Sequence, residues 1–129
     1  MTLAFRTASV APDAMAPDGS EVRLLCATGR GSMALFTLAP GAVARAVAHR
    51  SVEEIWYFVS GHGRIWRALD GEEQTLDLRP AMSLTLPVGT RFQFRCDGDE
   101  PLVVVGTTMP PWPGDGEAYE VTGPWPPTV

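Results

Sequence analysis

His49 and Glu54 are the two residues of this chain whose types and spacing could do chemistry together. They flank a short polar turn, Arg50-Ser51-Val52, inside the stretch VARAVAHRSVEEIWYFVSGHG. An imidazole beside a carboxylate can bind a divalent metal, or it can hold and pass a proton. Metal binding demands more donors, because a catalytic ion takes three protein ligands and keeps a place open. Val47 stands where a further imidazole would be most useful. Proton transfer asks only that the two side chains meet in a sheltered site.

Strands must do the positioning. Between residues 21 and 109, apolar runs of five to nine residues alternate with turn residues, giving candidates at 21–27, 33–40, 43–49, 53–60, 64–69, 74–78, 82–87, 91–96 and 101–109. This spacing predicts an all-β, antiparallel sandwich or barrel, and no window shows a good helical period. Period-two alternation puts Phe92, Phe94 and Cys96 on a core face, with Arg91, Gln93 and Arg95 outward. It likewise groups Glu54, Trp56 and Phe58 on one face, and Arg45, Val47 and His49 on another. A tight hairpin at 50–52 is the simplest way to bring His49 beside Glu54. His62 lies eight residues beyond Glu54, roughly 25 Å along an extended strand, and reads as an exposed turn residue.

Composition narrows the function classes. Ten basic and fifteen acidic residues give a charge of −5, scattered along the chain with no basic stripe, so nucleic-acid binding is disfavoured. No apolar run is long enough to span a membrane, and the start MTLAFRTASVAP lacks a signal-peptide layout; a cytoplasmic protein is expected. Cys26 and Cys96 have neither metal-type nor redox-type spacing and read as small buried side chains.

The hairpin residues resemble the first motif of the cupin superfamily, small jelly-roll (double-stranded β-helix) barrels. That motif runs glycine, five residues, His-x-His, a short gap, Glu, six residues, glycine. Gly41, Val47, His49, Glu54 and Gly61 follow its spacing, with valine for the first histidine. The second motif resembles Ala81, Pro87-Val88-Gly89, Phe92 and Cys96, with phenylalanine for the histidine and cysteine for the asparagine. The resemblance covers roughly residues 20–113. It implies a cupin barrel with two of four metal-ligand positions kept, His49 and Glu54. No complete metal site and no cofactor are therefore expected, the alternative being a weakly bound divalent metal. Analogy and alternation together give an apolar ligand pocket lined by Arg45, Val47, His49, Glu54, Trp56 and Phe92. Within it His49 and Glu54 form a candidate catalytic acid/base pair, the histidine with a raised pKa.

Three domains of behaviour follow: an irregular segment over 1–19, the barrel over 20–109, and an arm over 110–129. The arm holds six of the twelve prolines and two of the four tryptophans, so it is expected to pack, pinned by Trp112 and Trp125, on the barrel or on a second subunit. Function stays open among three readings. One is a binder of an unidentified small molecule. Another is an enzyme, either a metal-independent isomerase or epimerase or a metal-dependent oxygenase or isomerase. The last is a dimerisation module with a filled barrel. A homodimer is expected in each, since open sheet edges invite pairing.

Overall fold

In Glu53–Ser60 every second residue up to Phe58 is buried and those between are exposed, the mark of a strand with one face on a core and one in water. The same rule builds most of the chain. The computed structural model describes residues 2–129 as strands β1 (Ala14–Met15), β2 (Glu21–Ala27), β3 (Ser32–Leu38), β4 (Val47–His49), β5 (Glu53–Ser60) and β6 (Gly63–Leu69), followed by β7 (Glu72–Leu78), β8 (Ser83–Leu86), β9 (Arg91–Cys96), β10 (Leu102–Met109) and β11 (Ala118–Glu120). Among the described residues no helix is long and apolar enough to cross a membrane.

The strands form two antiparallel sheets, a six-stranded one in the order β1-β2-β3-β10-β5-β8 and a five-stranded one in the order β11-β4-β9-β6-β7. Their inner faces share one core. Trp56 of β5 is its hub, with its ring centroid 5.0 Å from Phe94 and 5.5 Å from Phe92 across the gap between the sheets. Phe36 and Phe58 stack on it from its own sheet, at 5.8 and 6.2 Å. Gly106, opposite Trp56 in register, makes room: a Cβ there would lie 2.5 Å from the Phe36 ring and 3.2 Å from the Trp56 indole nitrogen.

All nine expected strands are present within a few residues, except that only Val47–His49 of the 43–49 run forms a regular strand. Residues 42–46 bend: Ala42 and Ala44 pack inward, and the next inward residue is Val47, so the alternation slips at Arg45. The hairpin expectation is corrected. His49 ends β4 in one sheet and Glu53 begins β5 in the other, so the 50–52 turn crosses between sheets. The two side chains meet across the barrel instead of side by side in one ladder. Two further strands, β1 and β11, are short and poor in β-branched residues, and so carry no strand signal in the sequence.

Residues 110–117 cross the barrel mouth, and residues 118–129 fold back along the five-stranded sheet. β11 pairs with β4, and the chain then passes over β9. Gln93 points outward as alternation requires, yet it is buried, because its amide donates to the carbonyls of Ala44 (2.9 Å) and Trp125 (2.7 Å) and accepts from the Trp125 amide at 3.1 Å. The Trp125 ring lies under the guanidinium groups of Arg64 and Arg95, at 5.6 and 5.3 Å. Close approach explains the small residues here. A Cβ on Gly123 would stand 2.6 Å from that of Ala46.

Candidate functional site

His49 and Glu54 meet at the mouth of the barrel. The ring Nδ1 lies 3.1 Å from Glu54 Oε1, and both side chains are almost wholly buried. The second carboxyl oxygen, Oε2, accepts the indole N–H of Trp56. Strand alternation explains that bond, since Glu54 and Trp56 are two residues apart on one face. The other flank of the imidazole is aromatic: Phe92 meets it edge-on at 5.5 Å from inside, and Trp112 meets it edge-on at 5.1 Å from outside. Trp112 is held there by its backbone amide, which donates to Ser32 Oγ at 2.9 Å.

Burial sets the protonation of the pair. It depresses the His49 imidazole from 6.5 to about 4, against a weaker upward pull from the Glu117 charge. It raises the Glu54 carboxyl from 4.5 to about 7, against the opposing Trp56 hydrogen bond. The raised histidine pKa expected from sequence is thus overturned: desolvation outweighs the partner, which is itself uncharged over much of the range. Below neutral pH the proton sits on the carboxyl, which donates to Nδ1 and leaves the ring hydrogen on Nε2. Above it, Nδ1–H donates to the carboxylate and Nε2 becomes an acceptor.

Glu117 carries no signal in the sequence, where it stands in the Gly- and Asp-rich PGDGEAYE. Its carboxylate accepts from the amides of Ser51 (2.6 Å) and Val52 (2.7 Å) and from the Ser51 hydroxyl at 2.8 Å. Burial alone would raise its pKa, but these hydrogen bonds from Ser51 and Val52 hold it below the usual range. The arm therefore clamps the turn that carries His49 on one side and Glu54 on the other. Glu117→Ala should cost about 1–3 kcal/mol, the penalty of leaving buried donors unpaired. Urea unfolding measures the loss, and the His49 side-chain resonances should broaden with it.

Of the expected pocket lining, Val47 and Phe92 are buried and paired in register, and Trp56 is buried between the sheets. Arg45 is not there. The slip in alternation turns it outward, where Nε donates to the Val129 carbonyl at 3.0 Å and the guanidinium lies 3.6 Å from Glu120. Val47, Trp56 and Phe92 fill the space they were expected to line. Two clefts lie elsewhere on the outside. One of about 450 Å³ runs under the arm beside Arg45, Gln93 and Trp125, and one of about 700 Å³ lies beside Arg67, Gln74 and Thr90. His62 is exposed, away from the pair.

His49 Nδ1 and both Glu54 oxygens are already partnered, and a phenyl ring and an isopropyl group occupy the neighbouring positions. Among the described residues no three His, Cys, Asp or Glu side chains converge.

Two facing antiparallel sheets around an aromatic core, with polar residues gathered at one mouth, define a jelly-roll barrel. Residues 34–108 match the family model for the cupin domain, more than half of the chain, and the protein belongs to the cupin family. No match was found among curated proteins. Among solved structures the chain is similar to the capsular polysaccharide assembling protein CapF from Staphylococcus aureus, with 20% identity, a TM-score of 0.69 and coverage of 82% of this chain and 33% of that one. Oxalate decarboxylase from Bacillus subtilis gives 22% identity and a TM-score of 0.68, covering 79% of this chain and 28% of that one. The chain therefore spans about a third or less of each. The protein TT1209 from Thermus thermophilus is nearer in size, at 18% identity and a TM-score of 0.62, covering 76% of this chain and 90% of that one. These likenesses establish the fold alone.

Proposed function

We propose that the protein binds a small molecule without a resident metal, and that the His49–Glu54 pair reads the ligand's hydrogen-bonding group. The 3.1 Å contact between two buried, mutually partnered groups at the barrel mouth carries this reading. Oxalate decarboxylase has Mn(II) centres; here Val47 and Phe92 leave too few donors, and the two that remain bind each other. The pair instead presents one ring nitrogen, Nε2, whose character changes from donor to acceptor near neutral pH.

Trp112 indicates the ligand's shape. Its indole packs edge-on against the imidazole and is partly exposed, so a ligand reaching His49 must take its place. A flat, largely apolar body with one polar group satisfies that geometry. The same proton pair would serve a metal-independent isomerase or epimerase as acid and base, with Glu54 poised near the working pH. The packed aromatic interior favours a different reading, a filled barrel that serves only as a dimerisation module.

Titration with indole, phenol and benzoate, followed by the imidazole nitrogen shifts of His49, separates these readings. Trp112→Ala should bind at least one of these probes about tenfold more tightly than the parent, because the mouth is vacated, and His49→Gln in that background should abolish binding. Silence from all three probes toward both proteins would leave the filled module as the better reading.

A further inference from the structure

The larger of the two outer clefts, about 700 Å³, opens between the edge strand β7 of the five-stranded sheet and the edge strand β8 of the six-stranded one. Neither His49 nor Glu54 lines it. Thr90 does, and it is 3% exposed. Among the described residues its Oγ1 is the single buried side-chain polar atom that meets no hydrogen-bond partner. Buried hydroxyls are nearly always bonded, and one left open at a cleft wall asks for a partner from outside the chain.

Arg67 of β6 lines the same cleft, on the inner face of its sheet beside Phe92, with which it pairs in register. Its Nη1 donates to the Thr85 carbonyl of β8 at 2.7 Å and its Nη2 to Gln74 Oε1 of β7, so the guanidinium ties the two sheet edges together. Those bonds use two of its five N–H groups. Both acceptors are neutral, and among the described residues Arg67 takes no part in an ion pair. Burial disfavours its charge. A half-buried cation held by neutral acceptors gains more from a carboxylate than an exposed one does.

Negative charge lies further out along the cleft. Glu73 is already engaged, accepting the Trp66 indole N–H at 3.0 Å. Glu72 is exposed and stands opposite Leu69, on the same side of the ladder as Arg67 and Gln74 and about 7 Å further along it. Asp70, exposed at the hairpin turn, adds to that end. We propose that the cleft binds a small ω-amino acid, its carboxylate on the Arg67 guanidinium and the Thr90 hydroxyl and its ammonium on Glu72. Thr90 Oγ1–H and the spare N–H groups of Arg67 then donate to the carboxylate, and the methylene chain spans the gap to Glu72. A simple carboxylate meets repulsion from Glu72 and Asp70, and a simple amine meets repulsion from Arg67. Only a ligand with both charges suits both ends.

Titration of the full chain with 4-aminobutyrate, butyrate and butylamine, followed by the Arg67 Nε–H and Thr90 methyl resonances, tests this. The first probe should bind saturably and at least about tenfold more tightly than either of the others, each of which loses one charged contact. The His49 imidazole shifts should stay unmoved, which separates this cleft from the barrel mouth. Thr90→Val keeps the side-chain shape and removes a hydroxyl that has no partner within the protein. Its urea midpoint should hold or rise while its affinity for 4-aminobutyrate falls about tenfold. Arg67→Lys keeps the charge but loses the fork, and should weaken the probe at least about tenfold. Glu72→Gln should bring 4-aminobutyrate down to the affinity of butyrate. No response to 4-aminobutyrate up to about 10 mM would overturn the proposal. So would butyrate binding equally well, or Thr90→Val of unchanged affinity.

Discussion

Trp56→Ala should lower the unfolding free energy by about 3–5 kcal/mol. Trp56 is 2% exposed and touches aromatic rings from both sheets, so its removal opens a cavity where the layers are joined. The surrounding strands cannot collapse into that gap without losing their ladders. A second effect adds to the first: the indole N–H that satisfies Glu54 Oε2 disappears. Trp56→Phe separates the two, since it keeps much of the packing and drops the hydrogen bond. It should cost about 1–3 kcal/mol and push the Glu54 carboxyl further up, because the bond it removes is the one that lowers it. Urea midpoints of the two variants give the comparison. A Trp56→Ala protein as stable as its parent would mean that the barrel interior is not packed.

Glu54→Gln should expose a pH dependence that the parent conceals. At pH 5.5 the unfolded chain holds a proton on His49, whose ordinary pKa is 6.5, and none on Glu54, whose ordinary pKa is 4.5. The folded chain holds it on Glu54 instead. Folding then moves a proton without taking up or releasing one, and between about 4.5 and 6.5 the pair contributes no slope to stability. In the Glu54→Gln variant only the histidine titrates. Its folded pKa is depressed to about 4, so the unfolded state binds more protons across 4 to 6.5, and stability climbs with pH through that window. The climb is on the order of 3 kcal/mol and is complete above the unfolded pKa. His49→Gln gives the opposite sign. The remaining carboxyl is raised to about 7, the folded state binds more protons between 4.5 and 7, and stability falls as pH rises through that range. Chemical unfolding at pH 4.5, 5.5 and 7 resolves all three curves. Flat curves for both variants would mean that neither group is desolvated.

Strand alternation is legible because half-buried strands write their faces directly into the sequence. Glu54, Trp56 and Phe58 share an inner face as their spacing requires, and so do Phe92, Phe94 and Cys96. Arg45 escapes that reading because alternation assumes an unbroken strand, and a one-residue slip before Val47 reverses every side chain on one side of it. The His49–Glu54 meeting is legible from spacing, but its route is not. A three-residue turn can close a hairpin or pass between two sheets, and only the long-range pairing of β4 with β9 and of β5 with β10 decides. Glu117 leaves no local signal at all: its partners at Ser51 and Val52 lie more than sixty residues away, as long-range contacts commonly do in a barrel. The direction of the histidine's pKa shift is hidden for a related reason. Its partner is visible in the sequence, and the depth of burial contributed by Phe92 and Trp112 is not.

Elemental analysis of protein purified without a histidine tag, after incubation with zinc, iron, nickel or manganese and exhaustive dialysis, bears most directly on the role of the pair. Imidazole and carboxyl bonded to each other should retain well under one equivalent of any of these ions. One equivalent held through dialysis and lost on His49→Ala would contradict a metal-free, proton-sharing site.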